Sequence, residues 1–199
     1  MTRAGRVLPR RFYRRGGPEV APDLLNKVLV RGPLAARIVE VEAYDGPDDP
    51  ASHAFGGLTA RNQTMFGPPG HLYVYFTYGM HWCANAVCGP PGRPTAVLLR
   101  AAAPMRGLDQ MRAARTAGRS VARRDRDLCR GPARLAQAFG IDRDLDGADL
   151  VQGSAIRILD DGVTPPARPG QGPRIGIRRA TDRPWRWYVP DDPHLSRPG

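Results

Sequence analysis

The sequence predicts one mixed domain of short helices and short strands, with a β-hairpin near its middle. The chain has 199 residues, a natural length for a single domain with its own core. It holds 23 glycines and 21 prolines, so its elements must be short and joined by fixed turns. Runs of alternating polarity and runs of helical spacing interleave along the chain. No repeat or low-complexity tract divides it, so residues 1–199 are expected to form one domain.

Residues 1–9 are basic and are expected to be a flexible arm. Pro18–Leu25 places Pro and Glu at the start of a short helix. Lys27–Arg31 (KVLVR) reads as a strand that Gly32-Pro33 breaks. Arg37–Tyr44 (RIVEVEAY) is the clearest strand. Its alternation puts Val39, Val41 and Ala43 on one face, toward the core, and Ile38, Glu40, Glu42 and Tyr44 on the other. Residues 45–70 are rich in Gly, Pro, Asp and Asn and form a long loop; Arg61-Asn62 and Met65-Phe66 suggest that it is ordered. His71–Tyr78 and Trp82–Val87 make a hairpin turning at Gly79-Met80. Thr95–Ala101 is a buried strand carrying one arginine. Met105–Ala117 and Pro132–Phe139 have helical spacing, and Gly140 stops the second. Ile156–Leu159, Arg174–Ile177 and Arg186–Val189 read as closing strands whose arginines would face outward.

The formal net charge is +11, which suits an anionic polymer as partner. No apolar run is long enough for a spanning helix, and the basic N-terminal stretch has no apolar segment of the kind that marks secretion. The aromatics do not line one face of an amphipathic helix, so nucleic acid is a better partner than a membrane surface. Three cysteines, Cys83, Cys88 and Cys129, make no CxxC pair. They point to a reducing, cytoplasmic setting without disulfides or zinc. Lys27 is the only lysine.

Candidate chemistry is sparse. The glutamates are Glu19, Glu40 and Glu42, and the last two share a strand face about 6–7 Å apart. Such a pair tends to split its pKa values, which suits acid–base work, but spacing alone favours a solvated face with two surface acids. Arg100 interrupts an apolar strand, so it must be paired, and Glu42 is the carboxylate best placed to pair it. Tyr73, Tyr75 and Tyr78 crowd the first hairpin strand; they are either core or a stacking platform, and a tyrosine at the hairpin tip could wedge into a base stack. His53 alone is more often structural than catalytic. A basic surface, stacking aromatics and a strand-borne carboxylate together suggest chemistry on an extruded base.

The segments VEVEAY, ASHAFGG, RNQTMFGPPGHLYVYFTYGMHWCAN, AVLLRAAAP, RDLCRGPARLAQAFGI, PRIGI and WRWYVP resemble, in this order, the alkyladenine (3-methyladenine) DNA glycosylase family across roughly residues 10–190. The resemblance implies an α+β fold: a single mixed domain around a curved antiparallel β-sheet with the protruding β-hairpin, and no metal or cofactor. It implies action on double-stranded DNA that contains damaged purines; nothing in the sequence demands more than a monomer. Glu42 matches the base that activates the attacking water, and Arg100 the arginine that holds that water, with the Val189 carbonyl beside it. Tyr44, His53 and Tyr75 match the groups that bind the flipped purine. Asn85 matches the residue that disfavours the guanine amine, Leu98 a pocket wall, and Tyr78 the residue that intercalates. Departures include Asn26 for a usual glycine, Gly56 where many members carry arginine, and Ala103 for an acid. Two other readings compete. A lesion-binding protein without catalysis could keep this fold. A zinc base deaminase would need H-x-E and P-C-x-x-C patterns that the sequence lacks.

Overall fold

The computed structural model describes residues 5–117, 122 and 124–197. In chain order the elements are β1 (Arg6–Val7), α1 (Arg10–Tyr13), α2 (Gly17–Leu24), β2 (Val28–Arg31), β3 (Leu34–Asp45), β4 (Leu72–Thr77), β5 (His81–Cys88), β6 (Thr95–Arg106), α3 (Leu108–Ala117), α4 (Pro132–Ala138), β7 (Arg157–Asp160), β8 (Gly170–Gly172) and β9 (Arg186–Tyr188). Among the described residues the strands form one antiparallel sheet in the order β1-β7-β2-β3-β6-β5-β4, and β9 pairs with both β3 and β8. The sheet curls, and with α1 to α4 it makes the single α+β domain. None of the described helices is long and apolar enough to cross a membrane.

The basic arm expected over residues 1–9 is ordered in part. Arg6 and Val7 pair with β7, and Leu8 is buried in the core and donates its N–H to the Ile158 carbonyl at 3.0 Å. Residues 1–4 lie outside the described residues. Asn26 has φ 65°, a left-handed conformation that asparagine tolerates better than most residues.

The long strands β3 and β6 carry the main departure from simple alternation. Val39 is an extra residue on β3, between partners Ile38↔Ala102 and Glu40↔Ala101. Arg100 is an extra residue on β6, between Ala101 and Leu99. The two bulges compensate, so pairing resumes in register as far as Ala36↔Pro104, where a third irregularity leaves Met105 extra. Each flips parity. Ile38 therefore joins Val41 and Ala43 in the main core, while Val39 packs with Ala101 and Leu195 in a separate cluster. The sequence pattern had placed Ile38 and Val39 the other way round. The main core lies between this sheet face and the helices, with Val20 and Leu24 of α2, Met111 of α3 and Leu135 of α4 all buried.

Three further expectations are corrected. Helix α3 starts at Leu108, not Met105, because Met105 and Arg106 prolong β6 and Gly107, at φ 78°, makes the turn. Residues 174–177 form a loop instead of a strand, with Gly176 at φ 80°. The arginines expected to face outward there do not: Arg174 and Arg186 are buried, each held by a carboxylate.

Candidate active site

The sheet face away from the helices lays its functional side chains in rows. Register pairs Tyr73 with Asn85, Asn85 with Leu98, Leu98 with Glu42, and Glu42 with Arg186, one continuous row over β4, β5, β6, β3 and β9. One step along, Tyr75 pairs with Cys83. Side chains in such rows project from one face, so strand pairing alone brings the glutamate, the tyrosines and the asparagine together. Over them lies a cavity of about 370 Å³, lined by Tyr44, His53, Tyr73, Tyr75, Asn85 and Leu98, with Arg100 and Tyr78 also on its wall. Asn85 is buried and donates to the Tyr73 carbonyl at 3.1 Å.

Glu40, Glu42 and Arg100 form a buried charge cluster that the bulges create. Arg100 reaches Glu40 through Nε at 3.1 Å and Glu42 through Nη1 at 3.2 Å. Arg186 Nε lies 2.8 Å from Glu40, and Ser196 donates both its N–H and its hydroxyl to the same carboxylate. Glu42 accepts the Ile175 N–H at 2.6 Å and the Tyr44 hydroxyl at 2.9 Å. It has no solvent exposure and lies behind Arg100 and Tyr44, which do line the cavity.

The two carboxylates are held at different protonation tendencies. Burial pushes Glu42 up, and Arg100, the Ile175 N–H and the Tyr44 hydroxyl counter it only in part. Burial also pushes Glu40 up, but Arg100, the two Ser196 donors and Arg186 together hold it below its ordinary value. The like charge of Glu40 adds to the rise at Glu42.

The 45–70 loop supplies His53. Asn62, buried, donates to the carbonyls of His53 and Gly57, both at 2.9 Å, and accepts the Thr59 N–H at 2.7 Å. That single amide ties three points of the loop together. The His53 ring packs edge-on to Tyr75 with centroids 4.4 Å apart, and Nδ1 lies 3.1 Å from the Tyr73 hydroxyl. His53 is exposed as a residue, yet partial burial of its side chain and then the nearby Arg61 charge lower its pKa to about 4. Burial first, and then the neighbouring Cys83, raises the Tyr75 phenol well above its ordinary value.

Tyr78 stands at the hairpin tip, 78% exposed and at φ 52°, with Met80 exposed beside it. Exposed Arg178 and Arg179 give the cavity a basic rim.

Sequence reasoning missed Asp49, Arg174, Arg186 and Ser196 as parts of this architecture. Asp49 sits in an acidic Gly/Pro loop that reads as solvated, and Arg174 and Arg186 read as surface charges. A buried bidentate pair between residues 125 apart leaves no local signal. Val189 is not among the residues lining the cavity; its N–H donates to the Val39 carbonyl at 2.9 Å and its carbonyl accepts the Asp192 N–H at 3.4 Å.

The methylpurine-DNA glycosylase family profile matches residues 11–193. The chain belongs to this family. It is 59% identical to a Burkholderia lata protein over 98% of this chain and 93% of the relative. A Streptomyces avermitilis protein is 50% identical over 95% of this chain and 90% of its own. A Rhodopseudomonas palustris protein is 46% identical over 98% and 90%. Each of the three is provisionally named a 3-methyladenine DNA glycosylase.

Proposed function

We propose that this protein is a monofunctional DNA-repair glycosylase that flips an alkylated or deaminated purine out of duplex DNA and hydrolyses its N-glycosidic bond. The carrying observation is a buried, upward-shifted glutamate paired with an arginine directly behind an aromatic cavity. Membership of the methylpurine-DNA glycosylase family supports the substrate class.

In this reading Tyr78 enters the stack at the vacated position, and the basic rim binds phosphate. Tyr44, Tyr75 and His53 enclose the base. Alkylation at a ring nitrogen makes the purine cationic, which the aromatic faces favour and which improves it as a leaving group. With a pKa of about 4, His53 adds no competing positive charge at neutral pH. Asn85 and Leu98 limit which purines fit. The C1′–N bond breaks, the pair of electrons leaves with the base, and water adds to the sugar carbon through an oxocarbenium-like state. Glu42 takes the water's proton, and Arg100 holds the water. Oxygen Oε2 of Glu42 accepts the Tyr44 hydroxyl and retains a lone pair for this role. The products are a free base and an abasic sugar.

The reaction stops there, because a lyase step needs an amine to form a Schiff base. Lys27 lies apart from the cavity wall, buried, with Nζ 2.9 Å from Asp160. We place the protein in the cytoplasm, working as a monomer on double-stranded DNA.

The full burial of Glu42 favours one second reading, a lesion binder without catalysis. Release of free base from methylated duplex DNA separates the two. Wild type is expected to release base, and Glu42→Gln to bind the lesion without releasing it. Tight lesion binding by wild type with no release would establish the second reading.

A further inference from the structure

We propose that Arg174 and Asp49 are positioning residues for this reaction: the buried pair fixes the Ile175 N–H and the Tyr44 ring against Glu42, and so sets the orientation and ionisation of that carboxylate. The inference rests on the reading of Glu42 as the base.

The geometry is a staple between two loops. Arg174 and Asp49 both have fully buried side chains and meet at 2.5 and 2.8 Å. Arg174 also donates to the Ala43 carbonyl at 2.9 Å, which ties it to β3 midway between Glu42 and Tyr44. Its guanidinium lies 4.7 Å from the Tyr44 ring centre and 5.3 Å from that of Trp185. On the other side Asp49 accepts the N–H groups of Asp45 and Ala51, which shapes the turn leading to His53. The pair thus joins the segment before His53 to the segment carrying Ile175, and both segments line the cavity.

Both oxygens of Glu42 depend on this staple. Oε1 accepts the N–H of Ile175, the residue peptide-bonded to Arg174. Oε2 accepts the hydroxyl of Tyr44, whose ring lies against the guanidinium. A buried ion pair is rarely the cheapest way to hold two loops, since apolar residues of similar volume often do as well. A planar cation that grips a carboxylate, a carbonyl and an aromatic face at once has a use that apolar residues lack: it fixes orientation.

Glu42 is faced by Arg100 from β6, by Glu40 and Tyr44 from its own strand, by Cys83 from β5, by Tyr75 from β4 and by the Ile175 N–H from the loop. Arg186, its partner on β9, directs its charge to Glu40. Loosening the staple withdraws the two neutral donors and leaves the charged neighbours in place. Both donors oppose the rise at Glu42, so their loss moves its ionisation to higher pH.

The test is single-turnover base release from methylated duplex DNA across pH, with active sites titrated and thermal melts recorded. Arg174→Gln alone strands the Asp49 charge in the interior, so the paired change Asp49→Asn with Arg174→Gln is used beside Arg174→Lys. The paired variant is expected to lose about 10- to 100-fold in rate per active site, the scale of an ångström-level misplacement, with its acid limb moved to higher pH. Arg174→Lys is expected to show a smaller loss and a smaller shift in the same direction. A lowered melting temperature with unchanged per-site rate and unchanged pH profile overturns the proposal and leaves a structural staple only. If the paired variant does not fold, Arg174→Lys decides alone: an unmoved acid limb overturns the proposal. Failure of the underlying reading looks different, since wild type would then release no base or Glu42→Gln would remain active.

Discussion

Removing Glu40 tests the charge cluster most directly. Its carboxylate has no solvent exposure and accepts from four donors: Arg100 Nε, Arg186 Nε, and the N–H and hydroxyl of Ser196. Glu40, Glu42, Arg100 and Arg186 sum to zero charge when all are ionised. Glu40→Ala leaves the cluster at +1, with Arg186 keeping, among the described residues, the Arg197 carbonyl and the face of Tyr188. Removing one partner of a buried ion pair costs about 3–5 kcal/mol, because the other charge stays buried. For a chain of this length that corresponds to a fall of roughly 6–20 °C in melting temperature. A second effect has a fixed sign. Glu40 raises the Glu42 pKa through its like charge and competes for Arg100. Its removal therefore lowers the Glu42 pKa, and the acid limb of base release moves to lower pH. Melting curves and single-turnover profiles on Glu40→Ala read both effects. A loss below about 1 kcal/mol, the range of an exposed pair, would refute the accounting of the cluster. An acid limb that moves upward would refute the view that Glu40 acts on Glu42 as a like charge.

Two further outcomes are expected. The folded-state pKa of His53, about 4, lies below its ordinary value, so its neutral form contributes stability above pH 6.5 that is lost as pH falls from there through 4. NMR titration should show an imidazole that stays neutral from pH 8 to 5, and Arg61→Gln should raise its midpoint; an unmoved midpoint would leave burial as the sole cause. Tyr78→Gly removes a side chain that is 78% exposed from a residue at φ 52°, which glycine adopts without strain. The melting temperature should hold or rise while base release from duplex DNA falls, and undiminished release would remove Tyr78 from the wedge role.

Much of the site was legible in the sequence because it lies on paired strands. Alternation put Glu40, Glu42 and Tyr44 on one face of a strand, and an arginine in an apolar run demanded a carboxylate. The structure delivers the Arg100–Glu42 pair at 3.2 Å. The hairpin and its exposed tip followed from Gly79 between two alternating runs. The bulges at Val39 and Arg100 were hidden, since a one-residue insertion on each of two strands cancels in register and leaves no turn residue behind. The Asp49–Arg174 and Glu40–Ser196 contacts were hidden for another reason. They join residues 125 and 156 apart, and charged residues in Gly/Pro-rich segments look solvated whatever they meet in the fold.

The two glutamates separate by environment, although chemistry and strand face are the same. Glu40 is met by two guanidiniums and a serine, so its charge is compensated and its pKa falls. Glu42 shares one of those guanidiniums and otherwise meets uncharged donors, so burial prevails and its pKa rises. A base must be able to take a proton near neutral pH, which a fully compensated carboxylate does poorly. The bulge at Arg100 decides how that arginine is shared. With Arg100 as the extra residue opposite Glu40, its Nε reaches Glu40 while Nη1 extends to Glu42, so a single arginine serves both carboxylates. Arg186 then adds its charge to Glu40 alone. Arg186 and Ser196, which meet Glu40 and not Glu42, therefore turn two acids of one strand face into one compensated anion and one candidate base.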